Sequence, residues 1–174
     1  YNPSTNNPAR IYPYQDVTQE ADVTLKAYPA GTSSTICVDP GYEIVWDLNG
    51  YAVTKASPTG NPLEACIRGK LTLVDSSDTQ TGKWIAGACG VKDPSNLFYG
   101  GGGPAFYVLG EGELILKGGT VSIARNATPD AEGNVIINDG GLIRLDDGKL
   151  TVDGATLQVD DTYGIMIWGG EAVI

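Results

Sequence analysis

The sequence predicts an all-β protein, a right-handed parallel β-helix of about five coils with long insertions on one edge. Two observations predict this fold: a recurring pattern of three short alternating strands, and the lack of a helix-length segment between them. Glycine contributes 24 of the 174 residues, as expected of a chain with many turns. Parallel strands joined only by turns stack into coils, because each coil pairs with the next.

The repeat consists of a three-residue strand, a turn, a second strand and a third strand that begins near Gly. The first strands of five such units begin at Ile36, Ala65, Phe106, Ile143 and Ile165. Equivalent residues are as few as 22 positions apart, from Leu145 to Ile167, and as many as 41, from Ile67 to Val108. The shortest spacing is typical of a solenoid coil, and the longer ones indicate insertions at turns.

Stacked coils predict columns of inward-facing apolar residues. The first strands contribute the column Val38, Ile67, Val108, Leu145 and Ile167. The second strands contribute two columns, Trp46, Leu71, Leu114, Leu150 and Ala172, and then Leu48, Leu73, Leu116, Val152 and Ile174. The third strands contribute Val53, Ile85, Val121 and Leu157. In this alignment Trp46 is a core residue and not a platform for sugars.

The domain boundaries follow from composition. Residues 1–21 are interpreted as an N-terminal linker or cap, because the first residues are rich in Asn and Pro. Residues 22–174 are interpreted as the β-helix domain. The last four residues, Glu171 to Ile174, stop inside a strand pattern, so we expect a domain truncated at its C-terminus.

Charge and composition exclude several functions. A net charge of −10 disfavours nucleic acid and anionic membrane surfaces as partners. No apolar run is long enough for a membrane-spanning helix, so membrane insertion is not expected. The chain has no His, which removes Ser-His and Cys-His nucleophile pairs and the usual catalytic zinc sites.

Three long connections follow third strands, and in a stacked coil they leave from the same corner. They include the segments Ser57–Glu64, Ala86–Ala105 and Ala124–Gly140. Loop-bearing edges of solenoids often carry function. Phe98 and Tyr99 precede four consecutive Gly and could stack against a sugar or a partner. The alternative, and the commoner use of aromatic residues, is that they cover the flank of the coils.

Further candidate ligand-binding residues are Tyr107, Arg144, Asp146 and Asp147. Arg144 is expected to point outward beside the two carboxylates, an arrangement that a polysaccharide lyase or hydrolase on this fold would use. The Asp-Asp pair alone is a weak match to either.

Acidic residues recur in the turn between the first and second strands, namely Asp39, Glu111, Glu113, Asp146, Asp147 and Glu171. Stacked carboxylates repel unless a cation or water separates them, which leaves calcium open as a ligand. We favour solvated turn residues, because no calcium-binding motif is present. No other cofactor is predicted.

Cys37 and Cys66 occupy the same outward position on consecutive coils, so the alignment predicts a disulfide candidate. Adjacent strands lie ~4.8 Å apart, within the Cα separation that a disulfide spans. Cys89, in a long connection, could compete for either partner.

Two segments carry a family resemblance, Asp47-Leu48-Asn49-Gly50-Tyr51 and Leu116-Lys117-Gly118-Gly119-Thr120-Val121. Over roughly residues 36–174 the chain resembles the pectin-lyase-like β-helix repeats of large surface proteins of Gram-positive gut bacteria. The resemblance implies an extracellular or cell-surface location and an adhesive role. We therefore expect a secreted binding module, an adhesin for a glycan or a host glycoprotein. The alternatives are a structural stalk and, less favoured, a carbohydrate-active enzyme.

Overall fold

The computed structural model describes residues 17–25, 36–55, 65–86, 104–123, 141–160 and 163–174. Within these ranges the chain forms only β-strands and the turns between them, and no helix there is suited to crossing a membrane. The strands are β1 (Val17–Thr18), β2 (Val23–Leu25), β3 (Ile36–Val38), β4 (Glu43–Asp47), β5 (Ala52–Lys55), β6 (Ala65–Ile67), β7 (Lys70–Val74), β8 (Lys83–Ala86), β9 (Phe106–Leu109), β10 (Glu113–Lys117), β11 (Thr120–Ile123), β12 (Ile143–Asp146), β13 (Gly148–Val152), β14 (Thr156–Val159), β15 (Ile165–Ile167) and β16 (Gly170–Val173).

The strands form three parallel sheets, and the chain passes through them in strict rotation. Sheet 1 has the order β1-β4-β7-β10-β13-β16, sheet 2 the order β14-β11-β8-β5-β2, and sheet 3 the order β15-β12-β9-β6-β3. Every third strand therefore returns to the same sheet, beside its predecessor. The predicted all-β class is confirmed, and three parallel sheets visited in turn are consistent with a solenoid. The predicted boundary at residue 22 falls between β1 and β2, so sheet 1 already contains a strand from the predicted cap.

The first-strand column is confirmed. Val38, Ile67, Val108, Leu145 and Ile167 are successive Cα partners across sheet 3. The first four are at most 1% exposed, whereas Ile167 is 53% exposed because β15 has a neighbouring strand on one side only. Burial of this column follows directly from the two-residue alternation of β-strands.

The second-strand columns are right at β7, β10 and β13 and at Ala172 of β16, and they are wrong at β4. Ile174, predicted as a core residue, follows β16 and is 79% exposed, because no strand lies beyond β16 to cover it. Leu71, Leu114, Leu150 and Ala172 are Cα partners as predicted, but Ile44, and not Trp46, lies opposite Leu71. Trp46 lies opposite Leu73, and Leu48 is buried at the corner beyond the end of β4. A shift of two residues keeps every side chain on the same face, so alternation alone could not detect it.

The third-strand column is wrong at Ile85. Trp84 lies opposite both Val53 and Val121 and is fully buried, whereas Ile85 faces outward and is 37% exposed. The error is a shift of one residue. It arose because both faces of β8 carry apolar residues, which makes the alternation ambiguous.

Three aromatic rings, one from each sheet, meet at the centre of the core. The ring centroids of Trp46 and Trp84 are 5.4 Å apart with planes at 73°, an edge-to-face contact. Those of Trp84 and Phe106 are 5.1 Å apart with planes at 53°. Such pairs add to the stabilisation from buried area, so Trp84 joins the three sheets at their common centre.

The long connections begin and end on neighbouring strands. Residues 56–64, 87–103 and 124–140 connect β5 to β6, β8 to β9 and β11 to β12, that is, sheet 2 to sheet 3 each time. The three connections therefore start from neighbouring strands of sheet 2 and end on neighbouring strands of sheet 3. The connecting residues themselves, with Phe98 and Tyr99 among them, lie outside the described residues.

Candidate functional site

The outer face of sheet 3 carries a row of residues that bear reactive or recognition groups. Cys37, Cys66, Tyr107, Arg144 and Met166 are successive Cα partners along this row. Their inward neighbours are the buried column described above, so alternation directs these five side chains outward. The row places two of the predicted ligand-binding residues, Tyr107 and Arg144, side by side.

A carboxylate at the end of β12 fixes both of these residues. Arg144 donates to Asp146 from Nε to Oδ1 at 3.1 Å and from Nη2 to Oδ2 at 2.9 Å. Tyr107 donates from its hydroxyl to the same Oδ2 at 2.6 Å. The two-point contact between guanidinium and carboxylate holds the Arg144 side chain in one orientation. Three of the predicted site residues thus form one hydrogen-bonded cluster.

An indole completes the cluster. The guanidinium carbon of Arg144 lies 5.2 Å from the Tyr107 ring centroid and 5.0 Å from the Trp168 ring centroid, both within cation–π distance. Trp168 follows β15, on the opposite side of β12 from the strand that carries Tyr107. Its side chain is 74% exposed at this edge of sheet 3.

The hydrogen bonds set the protonation of this cluster. Hydrogen bonding to Asp146, reinforced by burial and by the charge of that carboxylate, raises the pKa of Tyr107 above its usual value. Burial alone would raise the pKa of Asp146, but the hydrogen bonds from Arg144 and Tyr107, with the guanidinium charge, lower it below its usual value. At neutral pH the carboxyl is therefore ionised and the phenol protonated.

These protonation states limit the proton transfers that the cluster could support. An ionised carboxylate with a lowered pKa is a poor general acid, and a phenol with a raised pKa is a poor general base. The positive charge of Arg144 is balanced by Asp146 in the same cluster. The cluster therefore presents an aromatic surface bordered by hydrogen-bonding groups whose charges balance.

Asp147, the fourth described candidate, belongs to a different surface. Its φ of 62° turns the chain from sheet 3 into sheet 1. It lines a cleft of about 460 Å³ together with Glu111, Glu113, Lys149 and Glu171. The neighbouring Asp146 and Asp147 thus serve two faces of the molecule.

The outer face of sheet 1 beside this cleft carries alternating charges. Five residues succeed one another as Cα partners, Glu43, Lys70, Glu113, Lys149 and Glu171. The amine of Lys70 lies 3.5 Å from the Glu113 carboxylate, and that of Lys149 lies 4.0 Å from Glu171. We call this row the charge ladder. Within the ladder, Lys149 separates the turn carboxylates Glu113 and Glu171. No group of three or more potential ligands in the described ranges is arranged to hold a metal ion.

Reversing the central charge of the ladder tests its contribution. We expect Glu113→Lys to lower the free energy of unfolding by about 1 kcal/mol, because three lysines would then lie on adjacent strands. Raising the salt concentration should restore much of that loss, since the screening length falls to ~3 Å at 1 M salt. Urea unfolding at low and high salt measures both effects. Glu111→Lys is the matched control, since it makes the same charge change outside the ladder, and equal losses in both variants would contradict a specific role.

Trp168, the most exposed aromatic residue of this face, was not among the ligand-binding residues predicted from the sequence. The repeat did contain a signal, because Trp168 occupies the same repeat position as Asp146. The structure shows this equivalence, since the backbone N–H of Trp168 donates to the carbonyl of Leu145, the residue before Asp146. Extending the aligned first strands by one residue would have aligned these two positions. The isolated occurrence of Trp in that turn gave no pattern to extend.

Comparison with known proteins adds no relative to this description. No protein-family model, no curated protein and no solved structure matches the chain.

Proposed function

We propose that this chain is a secreted or cell-surface glycan-binding module built on a right-handed parallel β-helix. The handedness rests on a general rule, because crossovers between parallel strands of one sheet are almost always right-handed. The rotation of the chain through three parallel sheets supports the β-helix. The resemblance of residues 36–174 to surface-protein repeats supports the extracellular location.

One observation supports the binding function. The exposed indole of Trp168 lies beside Arg144, and hydrogen bonds hold Arg144 and Tyr107 to the carboxylate of Asp146. Sugar rings present apolar C–H faces and polar edges, so a site for them combines a flat aromatic surface with fixed hydrogen-bonding groups. Because bidentate pairing fixes Arg144, binding costs little side-chain entropy at the polar part of the site.

The charge of the cluster favours neutral glycans over acidic ones. Arg144 and Asp146 neutralise each other, and the net charge of −10 repels polyanions. A host glycoprotein would be recognised through the neutral sugars of its glycans. We therefore expect binding to neutral oligosaccharides and weaker binding to uronic-acid or sialylated ones.

A glycan array with the wild-type chain, followed by calorimetry on the best neutral ligand, tests this function. We expect Trp168→Ala to weaken binding by roughly 10- to 100-fold, since exposed aromatic anchors contribute about 1.4–2.8 kcal/mol of binding free energy. Tyr51→Ala removes an exposed aromatic side chain at another corner and serves as the control, with affinity unchanged.

Three results would reject the proposal. The first is a folded wild-type chain that binds no glycan on the array, which would favour the structural stalk. The second is equal loss of affinity in the Trp168 and Tyr51 variants, which would place the site elsewhere. Release of new reducing ends from a bound polysaccharide would instead favour the enzyme.

A further inference from the structure

The outer row of sheet 3 begins with two thiols. Cys37 on β3 and Cys66 on β6 are direct Cα partners in a parallel pair, and both are half-buried. Alternation directs both side chains to the outer face of sheet 3, so the two thiols lie side by side across one strand spacing. The thiols are not joined by a disulfide. Their register confirms the alignment of these positions, whereas the predicted bridge stays a prediction.

We propose that Cys37 and Cys66 form an oxidation site that closes into a disulfide between neighbouring strands of sheet 3. The co-reactant is a small-molecule disulfide of the glutathione class. Adjacent parallel strands lie ~4.8 Å apart, inside the Cα range of about 4.4–6.8 Å that disulfides span. Backbone pairing already fixes the two Cα atoms, so little conformational freedom is lost when the bond forms.

The reaction proceeds by two exchanges. One cysteine loses its proton and its thiolate attacks the small disulfide, which forms a mixed disulfide and releases one small thiolate. The second cysteine then loses its proton and attacks the protein sulfur of that mixed disulfide, which releases the second small thiolate. Two protein thiols are oxidised by two electrons, the small disulfide is reduced to two thiols, and the released thiolates take up the two protons.

The surroundings of Cys66 set the rate at which the bridge forms. The hydrogen bond with Cys37, followed by burial and by the proximity of that thiol, raises the pKa of Cys66 far above its ordinary value. Because the thiolate is the attacking form and its fraction grows with pH, bridge formation should accelerate as pH rises.

The bridge would connect consecutive coils beside the candidate site. It encloses β4 and β5 between its ends, and Cys66 is the direct neighbour of Tyr107 in the row. Linking residues about 30 positions apart restricts the unfolded chain, and we expect the melting temperature to rise by roughly 5–10 °C. This inference does not depend on glycan binding, because its test uses no glycan.

The test starts from Cys89→Ser, which leaves only the two thiols of the site. The folded protein is incubated with oxidised glutathione at pH 8.5, the remaining thiols are alkylated, and peptides are mapped without reduction. We expect one peptide pair joined through Cys37 and Cys66, and the higher melting temperature. The single variants Cys37→Ser and Cys66→Ser in the same background should end as glutathione adducts with no rise in melting temperature.

Wild-type protein provides a second measurement should Cys89→Ser fold poorly. A trivalent arsenical, which bridges two neighbouring thiols, should protect Cys37 and Cys66 together from alkylation in the native state. The proposal is overturned if folded Cys89→Ser yields only mixed adducts or unreacted thiols. Disulfides from Cys89 to either residue as the main product of oxidised wild type, or lack of joint protection by the arsenical, would also overturn it.

Discussion

Trp84→Ala should be the most destabilising of the substitutions considered, with a loss of roughly 3–5 kcal/mol in the free energy of unfolding. Trp84 is fully buried and contacts a ring from each of the other two sheets. Removing it opens a cavity where three sheets meet, and the hydrogen-bonded strands around that cavity cannot collapse to fill it. Equilibrium urea unfolding, followed by far-ultraviolet circular dichroism, measures the loss.

Ile85→Ala is the matched control, because it changes the adjacent residue of the same strand on the outer face. Ile85 is 37% exposed, so we expect a loss of about 1 kcal/mol or less. The comparison also tests the register of sheet 2. Losses in the reverse order would place Ile85 in the core, as the sequence alignment alone proposed, and would contradict the pairing of Trp84 with Val53 and Val121.

Asp75→Ala should have the next largest effect, a loss of about 3 kcal/mol or more. This carboxylate is buried at the corner after β7, where it accepts hydrogen bonds from the backbone N–H groups of Gly50, Ser77 and Gly82 and from the Ser77 hydroxyl. The alanine variant leaves several of these donors without a partner in a poorly hydrated corner. Asp78→Ala, an exposed carboxylate of the same turn, is the control and should change stability by about 0.5 kcal/mol or less.

The same carboxylate contributes to acid sensitivity. Burial would raise the pKa of Asp75, but the hydrogen bonds from Ser77, Gly82 and Gly50 outweigh it and lower the pKa below its usual value. Because the folded pKa lies below the unfolded one, the contribution is complete above about pH 4 and is lost as pH falls through the folded value. Wild type should lose more stability than Asp75→Ala between pH 4 and 2. Parallel pH curves for the two proteins would contradict this assignment.

The register of a strand could be predicted from the sequence only where one face of that strand is apolar and the other is not. The sheet 3 column was predictable because each first strand has one apolar and one mixed face, as at Ile143-Arg144-Leu145. The register of β4 was not predictable, because Ile44, Trp46 and Leu48 are all apolar and, at every second position, all face the same side of the strand. Turn length decides among such registers, and turn length is not encoded in the alternation.

The site was predictable in its polar half only. Tyr107, Arg144 and Asp146 converge because each occupies a defined outward position of the repeat. Asp147 was expected to join them, but its left-handed backbone conformation turns the chain away, and such a conformation at a non-glycine residue is hard to foresee. Trp168 contacts Arg144 through its indole ring, and the repeat pattern did not predict an aromatic residue at that position.

The charge ladder has a consequence for how such a chain can lengthen or shorten during evolution. Loss of the single coil that contributes Lys70 would bring Glu43 against Glu113, two like charges on adjacent strands. Loss of two consecutive coils would instead bring Glu43 against Lys149 and keep opposite charges in contact. Duplications and deletions that conserve this surface should therefore involve even numbers of coils, so the heritable unit of the array would be a pair of coils, larger than the structural repeat itself.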